Sequence, residues 1–488
     1  MMTQQELEKY LWGAATALRG TIDAGDYKQY IFPLMFFKRI SDVYDEEFNN
    51  ALAESDGDLE YAAFAENHHF QVPDGAHWKD VRETTTNIGL ALQNAMRAIE
   101  KANPDTLEGI FGDASWTNKD RLSDAMLTNL IEHYSQHTLD LKNVPDDKLG
   151  NAYEYLIKKF ADDSGHTAAE FYTNRTVVKL MTMIMDPQPG ESVYDPTCGS
   201  GGLLLNCALH LKDEGKEYRT LKLYGQEINL LTSAIARMNM FMHGIEEFDI
   251  VRGDTLTSPA LLENDELKKF NVILANPPYS ISQWDNKSFE NDPFGRNMWG
   301  KTPAGCADYA FQQHIHKSLN EENGRCAILW PHGILFREME KKMREEMIKT
   351  DTIESVIALG PNLFYNSPME ASILICNNNK KEDHKGKILF IDALNEVQKE
   401  KTNSYLTESN IKRIFNTYSD FKEVAGFSKT VTLQDVLDKD SNLKVSKYIR
   451  SSKIPQKENS TFKELYENFI RSGEELSTSM EHLFKDLK

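Results

Sequence analysis

Asn276-Pro277-Pro278-Tyr279 is the stretch whose residue types best fit a chemical task. It follows Asn271-Val272-Ile273-Leu274-Ala275, a short apolar run that reads as a buried strand. Open α/β sheets hold their ligands at the carboxyl ends of such strands. Two prolines fix two φ angles and remove two backbone donors. What remains is a stiff rim of acceptors, the Asn276 side-chain oxygen and the Pro277 carbonyl, with the flat Tyr279 ring beside them. That rim suits a planar group bearing an –NH2. A strand ending in a proline turn would look the same over Asn-Pro-Pro alone, so the neighbouring motifs have to decide.

Asp195-Pro196-Thr197-Cys198-Gly199-Ser200-Gly201-Gly202 follows the run Ser192-Val193-Tyr194 and precedes a helix starting at Leu203. Strand, glycine-rich turn and helix allow a close backbone approach to a ligand. The Gly-Lys-Ser/Thr of a phosphate loop is absent, and the dinucleotide pattern Gly-x-Gly-x-x-Gly is not met. A nucleoside ligand without a pyrophosphate remains. Glu227 closes the next strand, Leu221–Gly225. An acid at that tip can accept hydrogen bonds from both ribose hydroxyls. Gly253-Asp254 closes a third strand, Phe248–Val251, and Asp254 offers an acceptor to an adenine amine, although many ordinary loops also begin Gly-Asp. Glu170-Phe171-Tyr172-Thr173-Asn174-Arg175 leads into a helix over Val177–Met185. Thr173 is the expected N-cap, and Phe171 and Tyr172 could cover a ligand. By composition alone this last segment is a helix start.

These motifs need elements to hold them. Leu7, Leu11, Ala14 and Leu18 recur at helical spacing, and a dense apolar stretch from Tyr30 to Ile40 predicts a buried helix starting near Pro33. Helices continue over Ile88–Ile99 and Leu149–Phe160. Short apolar runs then alternate with helical segments: Ser192–Tyr194, Leu221–Gly225, Val272–Ala275, Cys326–Trp330, Ile353–Leu359, Ala371–Cys376 and Ile388–Ile391. That alternation marks a doubly wound α/β domain. The expected division is a helical domain over 1–165, a Rossmann-like α/β domain over 166–395, and a C-terminal mixed or helical region over 396–488. The long loop Ser280–Gly305 follows the Asn-Pro-Pro-Tyr rim. It carries Trp284, Phe289, Phe294, Arg296 and Trp299, which suit base contacts or serve to pin the loop. In Thr461–Lys488, Phe462, Phe469, Leu476 and Leu483 stand seven apart, a partial heptad that packs on its own chain or on a partner.

Composition bounds the function. The chain has 488 residues, 40% hydrophobic and 27% charged, as in an ordinary soluble globular protein. No apolar run approaches a membrane span, and the N-terminus has no signal-peptide pattern, so a cytoplasmic protein with no membrane contact is expected. Five dispersed cysteines and no Cys-x-x-Cys argue against a disulfide framework or a zinc site. His68-His69 and His314-x-His316 lack partners at metal spacing, so no metal is expected. The net charge of −20 opposes autonomous DNA binding. Part of it sits between Ser41 and Phe70, where nine Asp/Glu meet no Lys or Arg, read as a solvated surface.

Taken together, the motifs resemble the modification (M) subunit of type I restriction–modification systems, an adenine-specific DNA methyltransferase. Asp195-Pro196-x-Cys198-Gly199-Ser200-Gly201-Gly202 resembles the family's S-adenosylmethionine motif. Asn276-Pro277-Pro278-Tyr279 resembles its catalytic motif, and Glu170-Phe171-Tyr172-Thr173-x-Arg175 its upstream cofactor motif. The resemblance extends to Leu11-Trp12-x-Ala14-Ala15 and Leu18-Arg19-Gly20 near the start, and to Leu406–Ile449 near the end. Two positions depart from the family: Asn174 stands where Pro is usual, and Tyr279 where Phe is frequent.

The resemblance implies that Glu170–Arg175 and Ser200–Gly202 contact the cofactor, with Asp195 at its methionine end. It implies Glu227 on the ribose and Asp254 on the cofactor adenine. Asn276 and Pro277 would bond the target amine, and Tyr279 would stack on the flipped base. An adenine amine is a poor nucleophile because its lone pair is delocalised into the ring. Two acceptors on its hydrogens favour a pyramidal nitrogen aimed for in-line displacement. Flipping the base costs a few kcal/mol, and aromatic stacking returns ~1–3 kcal/mol of that. The implied partners are double-stranded DNA, a specificity (S) subunit, a second M subunit held through it, and a restriction (R) subunit. Two other readings stay open: a protein glutamine methyltransferase, whose amide –NH2 resembles the adenine amine, and a catalytically idle scaffold of a DNA-binding complex.

Overall fold

Thr3 begins the first helix, α1 (Gln4–Ala17), through a reciprocal cap. The Glu6 amide donates to its hydroxyl, and its own amide donates to the Glu6 carboxylate at 2.8 Å. Leu7, Leu11 and Ala14 fall on the buried face, as their spacing predicts. In the computed structural model, residues 2–18, 22–163, 173–363, 369–400 and 403–449 are described. Glu170, Phe171, Tyr172 and the Thr461–Lys488 heptad lie outside them, as do Arg19 and Gly20.

The second helix, α2 (Lys28–Glu54), begins five residues before Pro33, not at it. Its first bonds run from the Tyr30 and Ile31 amides to the Tyr27 carbonyl. Pro33 therefore sits in the second turn and leaves the Gln29 carbonyl without its usual donor. Burial explains why the helix tolerates this. Every residue from Tyr30 to Val43 is buried, so the helix is the centre of its layer. Even Lys38 and Arg39 are buried, Lys38 paired with Asp42 and Arg39 with Asp146. Around it pack α3 (Ile88–Ala102), α4 (Asp124–Tyr134) and α5 (Asp146–Asp163).

After residue 190 the pattern changes to strands: β1 (Ser192–Asp195), β2 (Lys222–Glu227), β3 (Phe248–Arg252), β4 (Val272–Ala275), β5 (Arg325–Pro331), β6 (Ile353–Leu359), β7 (Ala371–Asn377), β8 (Lys387–Ala393) and β9 (Ser428–Thr432). They form one nine-stranded sheet in the order β3-β2-β1-β4-β5-β7-β6-β8-β9. The run from β3 to β5 is parallel, as is β6 with β8. β7 is inserted antiparallel between β5 and β6. Central strands such as β4 and β6 are buried along their whole length, as sheets covered on both faces require.

The covering helices are α6 (Arg175–Met185), α7 (Gly202–Asp213), α8 (Leu230–Met242), α9 (Asp308–Ser318), α10 (Lys341–Lys349) and α11 (Glu408–Ser419). Helix α8 serves two cores. Ala234, Ile235, Met238 and Met242 belong to the helical layer, while Ala236 and Met240 belong to the sheet.

The sheet runs past residue 395. Strand β9 pairs antiparallel with β8, and Ile411 and Ile414 of α11 enter the sheet core. Short and carrying Lys429 on its exposed side, β9 has the character of an edge strand, which is why no long apolar run announces it. Among the described residues, no helix is long and apolar enough to cross a membrane.

Candidate active site

Strand order reverses between β1 and β4, and the carboxyl ends of β1, β2 and β4 open onto one crevice. Asp195 is the last residue of β1, Glu227 the last of β2, and Asn276 follows β4 directly. These three, with Thr173, Arg175, Pro196, Cys198, Gly199, Ser200, Gly202, Asp254 and Pro278, line a single cavity of about 350 Å3. The Asn-Pro-Pro-Tyr rim, the glycine turn and the segment before α6, far apart in sequence, thus share one space. A larger groove of about 1230 Å3 lies at the amino ends of β2 and β3. It contains none of these motifs, so size is a poor guide here and the chemistry of the lining a better one.

The glycine turn is shaped by what presses on it. Gly201 has φ +78, and a Cβ there would come 2.9 Å from the Met240 methyl. A Cβ on Gly202, the first residue of α7, would lie 2.4 Å from Arg175 Nη1. Any other residue at Gly201 would be strained by that φ, and a side chain at Gly202 would have to push the Arg175 guanidinium aside, so glycine leaves the turn's backbone bare toward the cavity. The Ser200 carbonyl is held by the Asn239 carboxamide at 3.0 Å. Glu154 of α5 accepts from both Asn239, at 3.3 Å, and Arg175, in a charge-paired contact. A residue of the helical region therefore braces the turn, with no sequence pattern to announce it.

Glu227 is buried, and its two oxygens accept the Gly199 amide at 3.1 Å and the Asn229 amide at 2.8 Å. Burial raises its pKa against those bonds. Asp195 is 1% exposed and accepts the Thr197 amide at 3.0 Å. Burial pushes its carboxyl up to about 7, and the Glu227 charge adds to that. Asp254 accepts the Leu256 amide at 2.9 Å. Ile228, directly after Glu227, stays 61% exposed in the cavity wall, an apolar face that an acid-plus-apolar pair at a strand tip could have signalled.

Asn276 is held at both ends. Its Nδ2 donates to Thr173 Oγ1 at 3.0 Å, and its Oδ1 accepts the Tyr279 hydroxyl at 2.5 Å. Thr173 is therefore not the N-cap expected for α6. Asn174 fills that role, accepting the Thr176 amide at 3.0 Å and donating to the Ser404 carbonyl at 2.9 Å. The side chain standing where the family usually has Pro thus caps one helix and ties down the C-terminal segment. Pro277 is buried and Pro278 exposed, and the Tyr279 ring is half-buried.

The long loop divides its labour. Trp284 reaches the cavity. Phe289 and Trp299 are core residues. Arg296 is 2% exposed, paired with Asp292, and donates to the Thr255 and Leu256 carbonyls at 2.9 and 2.7 Å. It pins the loop beside Asp254 rather than offering a cation to a ligand. Gln283, Asp285 and Phe311 also line the wall, residues that local sequence did not single out.

Residues 144–457 match the N-6 DNA methylase family model, and residues 7–134 match the HsdM N-terminal domain. The chain belongs to the N-6 DNA methylase family. It is 30% identical to the type I restriction enzyme MpnII methylase subunit of Mycoplasma pneumoniae, over 99% of this chain and 96% of that protein. It is 32% identical to the MjaVIII methylase subunit of Methanocaldococcus jannaschii, over 91% of this chain and 78% of that protein. The fold resembles the crystal structure of a type I restriction–modification methyltransferase subunit from Streptococcus thermophilus, with a TM-score of 0.79 and 29% identity. That likeness covers 92% of this chain and 100% of the other. This methylase is accordingly an adenine-specific DNA methyltransferase of the type I restriction–modification kind, with the HsdM helical domain ahead of its α/β sheet.

Proposed function

We propose that the 350 Å3 cavity takes S-adenosylmethionine beside the target base, and that the chain acts as the modification subunit of a complex whose sequence reading comes from an S subunit. The observation that carries the site reading is the meeting of Asn276, Asp195 and Glu227 on one cavity at three adjacent strand ends. The residues fit the cofactor: a bare glycine cradle, two buried acids at strand tips, and an apolar wall at Ile228. When bound, it supplies the methyl group. Glu227 suits the ribose hydroxyls, Asp195 the methionine end, and Asp254 the cofactor adenine. Glu170, Phe171 and Tyr172 belong to the same proposal on the resemblance alone.

Asn276 Oδ1 and the Pro277 carbonyl accept the two hydrogens of the adenine amine, and Tyr279 stacks on the flipped ring. A carboxamide oxygen carries two lone pairs, so the bond from Tyr279 still leaves acceptor capacity. Thr173 and Tyr279 hold the two ends of the Asn276 amide. No proton-transfer group is needed before methyl transfer: the neutral amine takes the methyl as its bond to the sulfonium sulfur breaks, and the cationic amine then gives its proton to water. Relatives named as subunits of a type I restriction enzyme, and the net charge of −20, support partner-supplied DNA recognition. An R subunit and a second M subunit in that complex are part of the proposal.

The test is to incubate the chain and its S subunit with labelled S-adenosylmethionine and unmethylated DNA. Label recovered in N6-methyladenine is expected. Label in protein, or none at all, would overturn the reading.

A further inference from the structure

Ser280 follows the catalytic motif with φ +52, a left-handed conformation that a non-glycine residue adopts at a cost. Two groups hold it there. Its amide donates to Asp308 Oδ1 at 2.7 Å, and its hydroxyl accepts Arg337 Nη1 at 3.1 Å. Asp308 is fully buried at the start of α9 and forms an ion pair with Arg337 through its other oxygen. Arg337 is in turn gripped by the buried Glu340, Nε to Oε2 at 2.8 Å. The next residue is secured as well, since the Ala307 amide donates to the Ile281 carbonyl at 3.1 Å. Cys306, Asp308 and Glu340 lie close enough to share a cation, and the Arg337 guanidinium already bonds both carboxylates.

We propose that Asp308 and Arg337 are positioning residues for methyl transfer, clamping Ser280 so that Tyr279 and Asn276 keep their place over the cavity. The clamp joins the segment after β5 to the turn after β4, the two elements flanking the catalytic motif. Its reach into the site is short: Ser280 adjoins Tyr279, whose hydroxyl bonds the Asn276 oxygen. A purely structural ion pair has no reason to converge, with both its partners, on one strained residue next to the motif. Neither Asp308 nor Arg337 lines the cavity, so each acts through the turn.

This inference rests on the reading of Asn276–Tyr279 as the target-amine site, and Asn276→Ala serves as the control for that reading. The experiment compares the parent, Asp308→Asn, Arg337→Lys and the double variant Asp308→Asn/Ser280→Gly, each in the intact complex. Single-turnover methylation, cofactor affinity and melting temperature are measured together. Asp308→Asn and Arg337→Lys should each slow methylation about tenfold while cofactor affinity stays within about twofold of the parent. Adding Ser280→Gly should restore about threefold or more, because glycine takes positive φ without a clamp. The proposal is overturned if cofactor affinity falls in step with the rate, if glycine restores nothing, or if both single variants match the parent. If Asp308→Asn does not fold, Arg337→Lys alone decides by the same split between rate and affinity. Full activity in Asn276→Ala would instead sink the site reading beneath it.

Discussion

Thr173 and Tyr279 reach the Asn276 carboxamide from its two ends, and the two contacts do different work. Thr173 takes the amide nitrogen, and Tyr279 the oxygen. Thr173→Ala should lower kcat about tenfold, the worth of roughly one hydrogen bond, with little change in cofactor affinity. Single-turnover rates and a binding isotherm check both halves. Asp195 gives a pH prediction. Its carboxyl is pushed from 3.8 up to about 7, by burial first and by Glu227 second, so the folded protein favours its protonated form. That stabilising preference is complete below pH 3.8 and is lost as the pH rises through about 7. Asp195→Asn stays neutral throughout. Without ligand, it should melt higher than the parent at about pH 8, and the gap should close as the pH falls toward about 4. A melting series across pH tests the sign. Asn276, Asp195 and Glu227 were legible in the sequence because each ends an apolar run at a strand tip. The clasp from Thr173 was not, because it spans 103 residues and depends on how the segment before α6 lies against β4.

Among elements, α5 shows how a helix can matter to a site it does not line. Glu154 on its inner face gathers Arg175 and Asn239, and Asn239 holds the Ser200 carbonyl of the glycine turn. Glu154→Ala would take a carboxylate from the partly buried Arg175 guanidinium, release Asn239 and slacken the turn. Cofactor affinity should fall about fivefold to tenfold, with the methylation rate at saturating cofactor changed far less. Isothermal titration separates the two. The strand over Val272–Ala275 was readable to the residue, since a continuous apolar run bounded by Asn on both sides leaves little choice; Ile353–Leu359 was read to the residue too, from its β-branched and apolar residues ahead of Gly360. The start of α2 was misplaced because tertiary burial let the helix run through Pro33. Strand β9 was missed for the opposite reason, its alternating polar sequence carrying no burial signal.

For the whole molecule, the order of layers follows from composition and periodicity, but the way they interlock does not. The chain's net charge of −20 leaves DNA attraction to local surfaces and to partners. If the heptad in Thr461–Lys488 carries the S-subunit contact, a chain ending at residue 460 should keep cofactor binding and lose co-purification with that subunit. Unchanged co-purification would remove the segment from the interface.

Helix α8 belongs to both hydrophobic cores at once. The consequence is cooperative: neither half can melt without baring one side of that helix, so heat should unfold the described body in a single calorimetric transition. A chain shorn of the whole helical layer, through Asp163, would lose both α2 and α5 from that side, display Ile235, Met238 and Met242 to water, and should precipitate rather than survive as a small module.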